Sequence, residues 1–213
     1  MAPRRLARTL DAPDVDSSEP SDDDLVVRVG RGEELAFEQL AARWGARVRD
    51  YLERVTGEPA AADDLLQEVL VALFRSAPLH DRALPFAVWI FSIARNAALS
   101  HLRKRAARTR LFELLATAPR VLLARFERRA PRPPPDQLIG AEFAAAFDAA
   151  LRTLPEEFRS VFLLREREEL SYEEIGAVVG IPAKTVSTRL VRARERLRRS
   201  LAPWFDAVPR SPP

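Results

Sequence analysis

Cysteine is absent from this chain, so disulfide frameworks, thiolate metal sites and cysteine nucleophiles are all excluded. Histidine is scarce, with only His80 and His101, and Met1 is the one methionine. No apolar run approaches the roughly 20 residues that a membrane-spanning helix needs. Arg4, Arg5 and Arg8 stand near the N-terminus, but no apolar stretch of leader length follows them, so a secretory signal is not expected. No glycine-rich phosphate loop and no His-Glu-x-x-His pair is present. His80-Asp81 has no third ligand or nucleophile at a recognisable spacing. The expectation is a cytoplasmic protein that is not an enzyme and carries no cofactor and no metal.

What is there is charge in blocks. The net charge is only +3. Yet Leu10 to Asp24 carries only acids, Arg103 to Arg132 is almost wholly basic, and Lys184 to Arg199 holds Glu195 as its one acid. Separated basic patches suit a polyanion, and nucleic acid is the first candidate. Solvated helix faces would produce the same blocks.

Hydrophobic periodicity is helical throughout and strand alternation does not persist, so the fold class expected is all-α. Residues 1–24 read as a disordered acidic tail with Pro3, Pro13 and Pro20. Residues 25–105 read as one helical domain. Its first long helix carries Phe37, Leu40, Trp44, Val48, Tyr51, Leu52 and Val55 and is broken by Gly57 and Pro59. A second carries Leu65, Leu66, Val69, Leu70 and Leu73 and ends before Pro78. A third runs from about Pro85 to Arg105 with Phe86, Trp89, Ile90, Ile93, Ala97 and Leu102. Residues 106–136 form a basic linker ending in Pro131-Arg132-Pro133-Pro134-Pro135, an extended spacer. Residues 137–202 form a second helical domain, with starts marked by Pro155, Ser171 and Pro182, and 203–213 a disordered tail.

The strongest local signal lies between Ser171 and Leu201. Ser171-Tyr172-Glu173-Glu174 has the form of a capping box. Gly180 suits the left-handed position that ends a short helix, and Ile181-Pro182 turns the chain into the next. Gly176 is small where the second helix must cross closely. Ile175, Val179, Val186 and Leu190 supply the packing between the two. The second helix then presents Lys184, Thr185, Ser187, Thr188, Arg189, Arg192, Arg194 and Arg196. This is the pattern of a helix-turn-helix, whose second helix enters the major groove. Hydroxyls and forked arginines there can read bases, and the outlying arginines grip phosphate. A charged helical hairpin is the plainer alternative.

Separated strings now resemble one family. Gly32-Glu33-Glu34-Leu35-Ala36-Phe37-Glu38-Gln39-Leu40, Ala62-Asp63-Asp64-Leu65-Leu66-Gln67-Glu68-Val69 and Trp89-Ile90-Phe91-Ser92-Ile93-Ala94-Arg95-Asn96 resemble region two of a bacterial sigma factor. Leu151-Arg152-Thr153-Leu154-Pro155-Glu156-Glu157-Phe158-Arg159 with the helix-turn-helix resembles region four. Order and spacing are similar to the extracytoplasmic-function group. The fold this implies is two small helical domains joined by a flexible linker.

The resemblance also implies roles. Core RNA polymerase would dock on Asp64, Leu65, Gln67 and Glu68. The minus-ten element would be held by Trp89, Ser92, Arg95, Asn96, Arg103, Lys104 and Arg105, with Asn96 the foremost base reader and the loop from Ser76 to Leu84 offering a pocket for a flipped base. Aromatic platforms, amide readers and cations are what single-strand capture requires, although Trp89 and Phe86 would also serve as core. The minus-thirty-five element would be read by Ser187, Thr188, Val191 and Arg192 near the bases and by Lys184, Thr185, Arg189 and Arg194 near the backbone. Partners expected are core polymerase, promoter DNA and an anti-sigma protein, with a monomer when free. The apolar residues between Leu111 and Phe126 read as helix packed on its own domain, or as an anti-sigma docking surface. The competing function is a stand-alone helix-turn-helix regulator that binds its operator unaided.

Overall fold

The computed structural model describes residues 20–81, 83–115 and 135–206. Among these every regular element is a helix. Most of the expected acidic tail, the greater part of the linker and the last residues of the C-terminal tail lie outside the described residues.

The first helix begins earlier than the periodicity predicts. Ser21 caps α1 (Asp22–Gly30), its hydroxyl accepting from the Asp24 amide at 3.2 Å. Asp22, Asp23 and Asp24 therefore occupy a first turn, where the helix dipole favours acids. Asp22 is also held from outside: Arg43 lies 2.6 Å away and the Trp44 indole donates to it at 3.0 Å. The tail expected as disordered to residue 24 thus ends sooner, because its last acids are helix-forming in this setting.

Helix α2 (Glu34–Thr56) buries the stripe Leu40, Trp44, Val48, Tyr51, Leu52 and Val55 and ends where Gly57 adopts φ 72°. Helix α3 (Pro59–Ser76) has proline in its first turn and buries Leu65, Val69 and Leu73. A short 3-10 turn, Ala77–Leu79, follows. Helix α4 (Phe86–Leu115) closes this bundle through Phe86, Ile90, Phe91, Ala94 and Ala98. Trp44 meets Phe86 and Phe91 edge-on at 5.2 and 6.2 Å, a preferred aromatic geometry. Helix α4 runs past Arg105 to Leu115, so the start of the expected linker is helix. Arg108, Arg110 and Leu111 are exposed along it, and the rest of the apolar linker segment lies outside the described residues.

The second bundle holds α5 (Pro135–Thr153), α6 (Glu156–Glu166), α7 (Tyr172–Val179) and α8 (Ala183–Asp206). Pro155 caps α6, and α6 is buried from Phe158 to Leu164 because α2, α7 and α8 surround it. Helix α8 continues through Pro203 to Asp206, beyond the boundary drawn at residue 202.

The two bundles do not stand apart. Helix α2 packs on α5 and α6, and α4 packs on α7. The buried apolar residues form one continuous cluster across both. Polar groups line the seam. The Tyr51 and Ser160 hydroxyls share a hydrogen bond of 2.6 Å, both side chains buried, and burial pushes the Tyr51 phenol well above its ordinary pKa. Arg47 donates to the buried Glu168 at 2.9 Å, Arg167 meets Asp50 at 2.9 Å, and Arg54 pairs with both Asp50 and Asp148. Burial raises the Glu168 carboxyl, with Arg47 working against it.

Candidate nucleic-acid interface

The helix-turn-helix forms as its sequence dictates. The Glu174 amide donates to the Ser171 hydroxyl at 3.2 Å, and the Ser171 amide donates to the Glu174 carboxylate at 2.7 Å. These bonds, the one from the Ser171 backbone first, hold the Glu174 carboxyl below the usual glutamate range. Gly180 ends α7 at φ 72°, and the amides of Gly180 and Ile181 both donate to the Gly176 carbonyl, at 2.9 and 3.0 Å. Gly176 is needed for a reason the spacing only approximates. A Cβ there would lie 2.7 Å from the Ile181 carbonyl oxygen, so the close neighbour is the turn itself rather than the body of α8.

Helix α8 buries Val186, Leu190, Ala193, Leu197 and Leu201, one stripe at helical spacing. The other side carries the expected readers. Lys184, Thr185, Thr188, Val191 and Arg192 are exposed, and Ser187 is half-buried. Val191 is 60% exposed, an apolar side chain left largely uncovered by the described residues. Two expected cations already have carboxylate partners: Arg189 meets Glu157 at 3.0 Å, and Arg194 meets Glu166 at 2.6 Å. Thr188 donates to the Lys184 carbonyl at 3.1 Å.

On α4 the expected minus-ten residues divide between faces. Trp89, Ser92, Asn96 and Arg103 follow i, i+3, i+7 and i+14, which makes them one stripe. Asn96 and Arg103 are exposed, and Trp89 and Ser92 half-buried. Trp89 lies against His80 of the preceding loop, ring centroids 4.3 Å apart, and meets Phe86 edge-on at 5.8 Å. Ser92 spends its hydroxyl on the Val88 carbonyl at 2.7 Å. Phe86 is core, with 4% of its surface exposed. Lys104 is exposed, and Arg105 turns away from the stripe to pair with Glu58.

Arg95 departs from expectation. Its side chain is 14% exposed and stands 3.6 Å from Glu156 of α6, so in this structure it is covered by the second bundle and not presented to a ligand. The reason is its phase on α4: it lies on the flank facing the second bundle, where α4 meets α7.

On α3, Asp64, Gln67 and Glu68 are exposed along one side. Leu65 is corrected: it is 3% exposed and packs in the core, because the same helical period that exposes its neighbours turns it inward. The exposed face instead continues through Val71 and Phe74, 48% and 47% exposed, with Phe74 edge-on to Phe37 at 5.6 Å. Their spacing from Gln67, four and seven residues on, was the available signal. Among the described residues no group of acidic or histidine side chains could hold a metal ion, and no helix is long and apolar enough to cross a membrane.

Comparison with known proteins agrees with this geometry. The family model for Sigma-70 region 2 matches residues 40–108, and the one for Sigma-70 region 4 matches 144–197. The chain is 34% identical over 207 residues to the ECF RNA polymerase sigma factor SigE of Mycolicibacterium smegmatis, covering 94% of this chain and 77% of that one. It is 29% identical over 186 residues to the RNA polymerase sigma-H factor of Pseudomonas aeruginosa, covering 87% and 96%. The solved structure of CnrH in complex with the cytosolic domain of CnrY aligns with a TM-score of 0.61 at 27% identity, over 85% of this chain and 97% of that one.

Proposed function

Because the chain belongs to the extracytoplasmic-function sigma factors of RNA polymerase, directing transcription initiation with the core enzyme, we propose a specific division of work among its surfaces. Helix α8 reads the minus-thirty-five element with Ser187, Thr188, Val191 and Arg192 towards the bases. Lys184, Thr185, Arg189 and Arg194 serve the backbone. The stripe Trp89, Ser92, Asn96 and Arg103 on α4 holds the opened minus-ten strand, flanked by Arg95, Lys104 and Arg105. Asp64, Gln67, Glu68, Val71 and Phe74 on α3 dock the polymerase. In domain terms, α1 to α4 form the region-two unit and α5 to α8 the region-four unit. Bond making belongs to the polymerase, and the chain works in the cytoplasm. The observation carrying this reading is that one chain presents two separate DNA-suited helix faces plus a third, acidic and apolar face. A core enzyme that fixes the first two against one promoter gains effective concentration from the pair. A second protein that binds and holds the chain, an anti-sigma protein, is its further partner, a reading supported by the similar CnrH chain, solved with the cytosolic domain of CnrY bound.

The direct test is initiation from a promoter library with core polymerase and this chain, which should yield transcripts sharing two spaced motifs. Operator binding without polymerase, and no stimulation of initiation, would instead mark a stand-alone regulator. Substitutions of Gln67 and Glu68 together by alanine should weaken core association in a pull-down while isolated duplex binding by region four is unchanged. Undiminished association would remove α3 from the docking role.

Arg192 offers a finer measurement. Its replacement by alanine should weaken minus-thirty-five duplex binding by roughly 1–3 kcal/mol at one base position if the guanidinium forks onto guanine. An equal loss on every DNA sequence would make it a phosphate contact instead.

A further inference from the structure

A cleft of about 690 Å³ opens where the end of α2 faces the start of α6. Its charged lining is unbalanced: Arg105, Arg152 and Arg159 stand against the single carboxylate of Glu156. Leu102, Leu154 and Pro155 supply an apolar wall beside them. The volume lies in the range of small-molecule sites, roughly 300–1,000 Å³, which combine an apolar wall with a few convergent polar groups.

Pairing within the chain does not account for the arginines. Arg159 is buried, its surface 8% exposed, and its terminal nitrogens donate to three backbone carbonyls while Nε has no hydrogen-bond partner. A buried donor left over is rare enough to need a cause. Arg152 is exposed and has no carboxylate partner among the described residues. The pKa of Arg159 is lowered by burial first and, against the pull of Glu156, by the nearby charge of Arg152. Gly57 permits this approach: at φ 72° it leaves open the space where a Cβ would lie 3.3 Å from the Arg152 stem and 3.8 Å from Arg159 Nη1. Two guanidiniums brought together repel, and an anion bound to both removes that cost.

The acids nearby are already engaged. Glu156 is shared with Arg95 on α4, 3.6 Å away. Glu58 holds Arg105 with one oxygen and meets His101 at 3.0 Å with the other, which steadies Arg105 at the cleft. The start of α6 adds a weaker contribution. Pro155 caps it without a side-chain hydrogen bond, and the first amides of a helix are unpaired and partially positive. Glu156 and Glu157 answer part of that charge, so the arginines matter more.

We propose that this cleft binds a nucleoside polyphosphate, with its phosphates forked by Arg152 and Arg105 beside the charge of Arg159 and its base against Leu102, Leu154 and Pro155. Guanidinium forks match phosphate oxygens with paired bonds. A bare phosphate would use the arginines and leave the apolar wall uncovered. The one lining hydroxyl, Thr56, already donates to the Leu52 carbonyl at 2.8 Å, so no side chain is left to read a base edge, and adenine and guanine serve alike. The site is independent of which helices read DNA.

The test is calorimetric titration of the full chain, without polymerase, with ATP, GTP and inorganic triphosphate. ATP and GTP should bind alike, and triphosphate about tenfold more weakly because it buries no ring. Arg152→Ala should weaken ATP at least about tenfold, the loss expected for a charge-assisted bond. Arg198→Ala, which removes the same charge from an exposed position of α8, should leave ATP binding unchanged. Leu102→Ala should weaken ATP and spare triphosphate. The unliganded thermal midpoint of each variant shows that its fold is kept. No ATP binding by the parent chain overturns the proposal. So does an equal loss in Arg198→Ala, which would mean bulk charge, or triphosphate binding as tight as ATP, which would mean an unspecific anion patch. Displacement of ATP by an equal concentration of a short random-sequence oligonucleotide would give the cleft to a nucleic-acid backbone instead. ATP binding seen only after removal of residues 1–19 would make that acidic segment the occupant.

Discussion

Gly176→Ala is expected to lower the stability of the second bundle by about 2 kcal/mol, although intrinsic helix propensity alone favours alanine over glycine by up to about 1 kcal/mol. The two effects oppose one another, and the geometry decides which wins. The alanine methyl would stand 2.7 Å from the Ile181 carbonyl oxygen, a backbone atom that cannot rotate aside. Overpacking of this kind costs typically 1–3 kcal/mol. It also displaces the turn whose Gly180 and Ile181 amides both donate to the Gly176 carbonyl. Valine at the same position should be worse, since its branches meet the same wall. Urea denaturation of the variants and minus-thirty-five duplex binding measure both consequences. An alanine variant as stable as the parent would show that the turn has slack the geometry denies.

Arg159→Ala is expected to cost more, about 3–5 kcal/mol, because three carbonyls lose a charged donor at roughly 1–3 kcal/mol each where they are left buried. The Arg159 side chain is buried and donates three hydrogen bonds to backbone carbonyls. These are Arg152 in the last turn of α5 and Leu154 just after it, both at 2.7 Å, and Val55 at 2.8 Å near the end of α2. Burial pulls its pKa down from the ordinary arginine value, yet the guanidinium stays charged. Truncation leaves three carbonyls without their donor, each of which then costs its desolvation. Lysine should rescue little, because a single ammonium cannot reach three carbonyls set around a planar fork. Thermal unfolding should show the loss. Because one bond reaches Val55 across the seam, the loss should loosen the packing of α6 on α2 as well as the turn before α6. A lysine variant as stable as the parent would show that the fork is dispensable.

These two residues illustrate what reading the chain could and could not find. The value of Gly176 was visible as a small residue in a capped, turn-ended helix. Its neighbour was not, because only the folded turn brings the Ile181 carbonyl back over α7. Arg159 was visible only as part of a string resembling region four. Nothing in the pattern distinguishes a buried, carbonyl-forking arginine from a solvated one, and its partner at Val55 is more than a hundred positions away. Leu65 and Arg95 lie where their strings did not indicate, for a shared reason. Both sit in strings that resemble functional segments, but a string does not state the helical phase against the rest of the fold. Leu65 is turned into the core, and Arg95 is turned towards region four.

The boundaries show the same limit. Helix α4 outlasts Arg105 and α1 starts at Asp22, since exposed basic and acidic residues extend a helix without adding the apolar period by which helices are recognised.

The amino-acid order by itself determined the helical class, the helix-turn-helix with its cap and turn, and the exposed basic face of α8. Each depends on spacing within a few residues, where the helical repeat acts directly. Only the tertiary structure decided that the two bundles share a core, that Tyr51 meets Ser160, and that Glu156 lies on Arg95. Those contacts join residues far apart in the chain. They depend on how helix faces meet, which local periodicity leaves open.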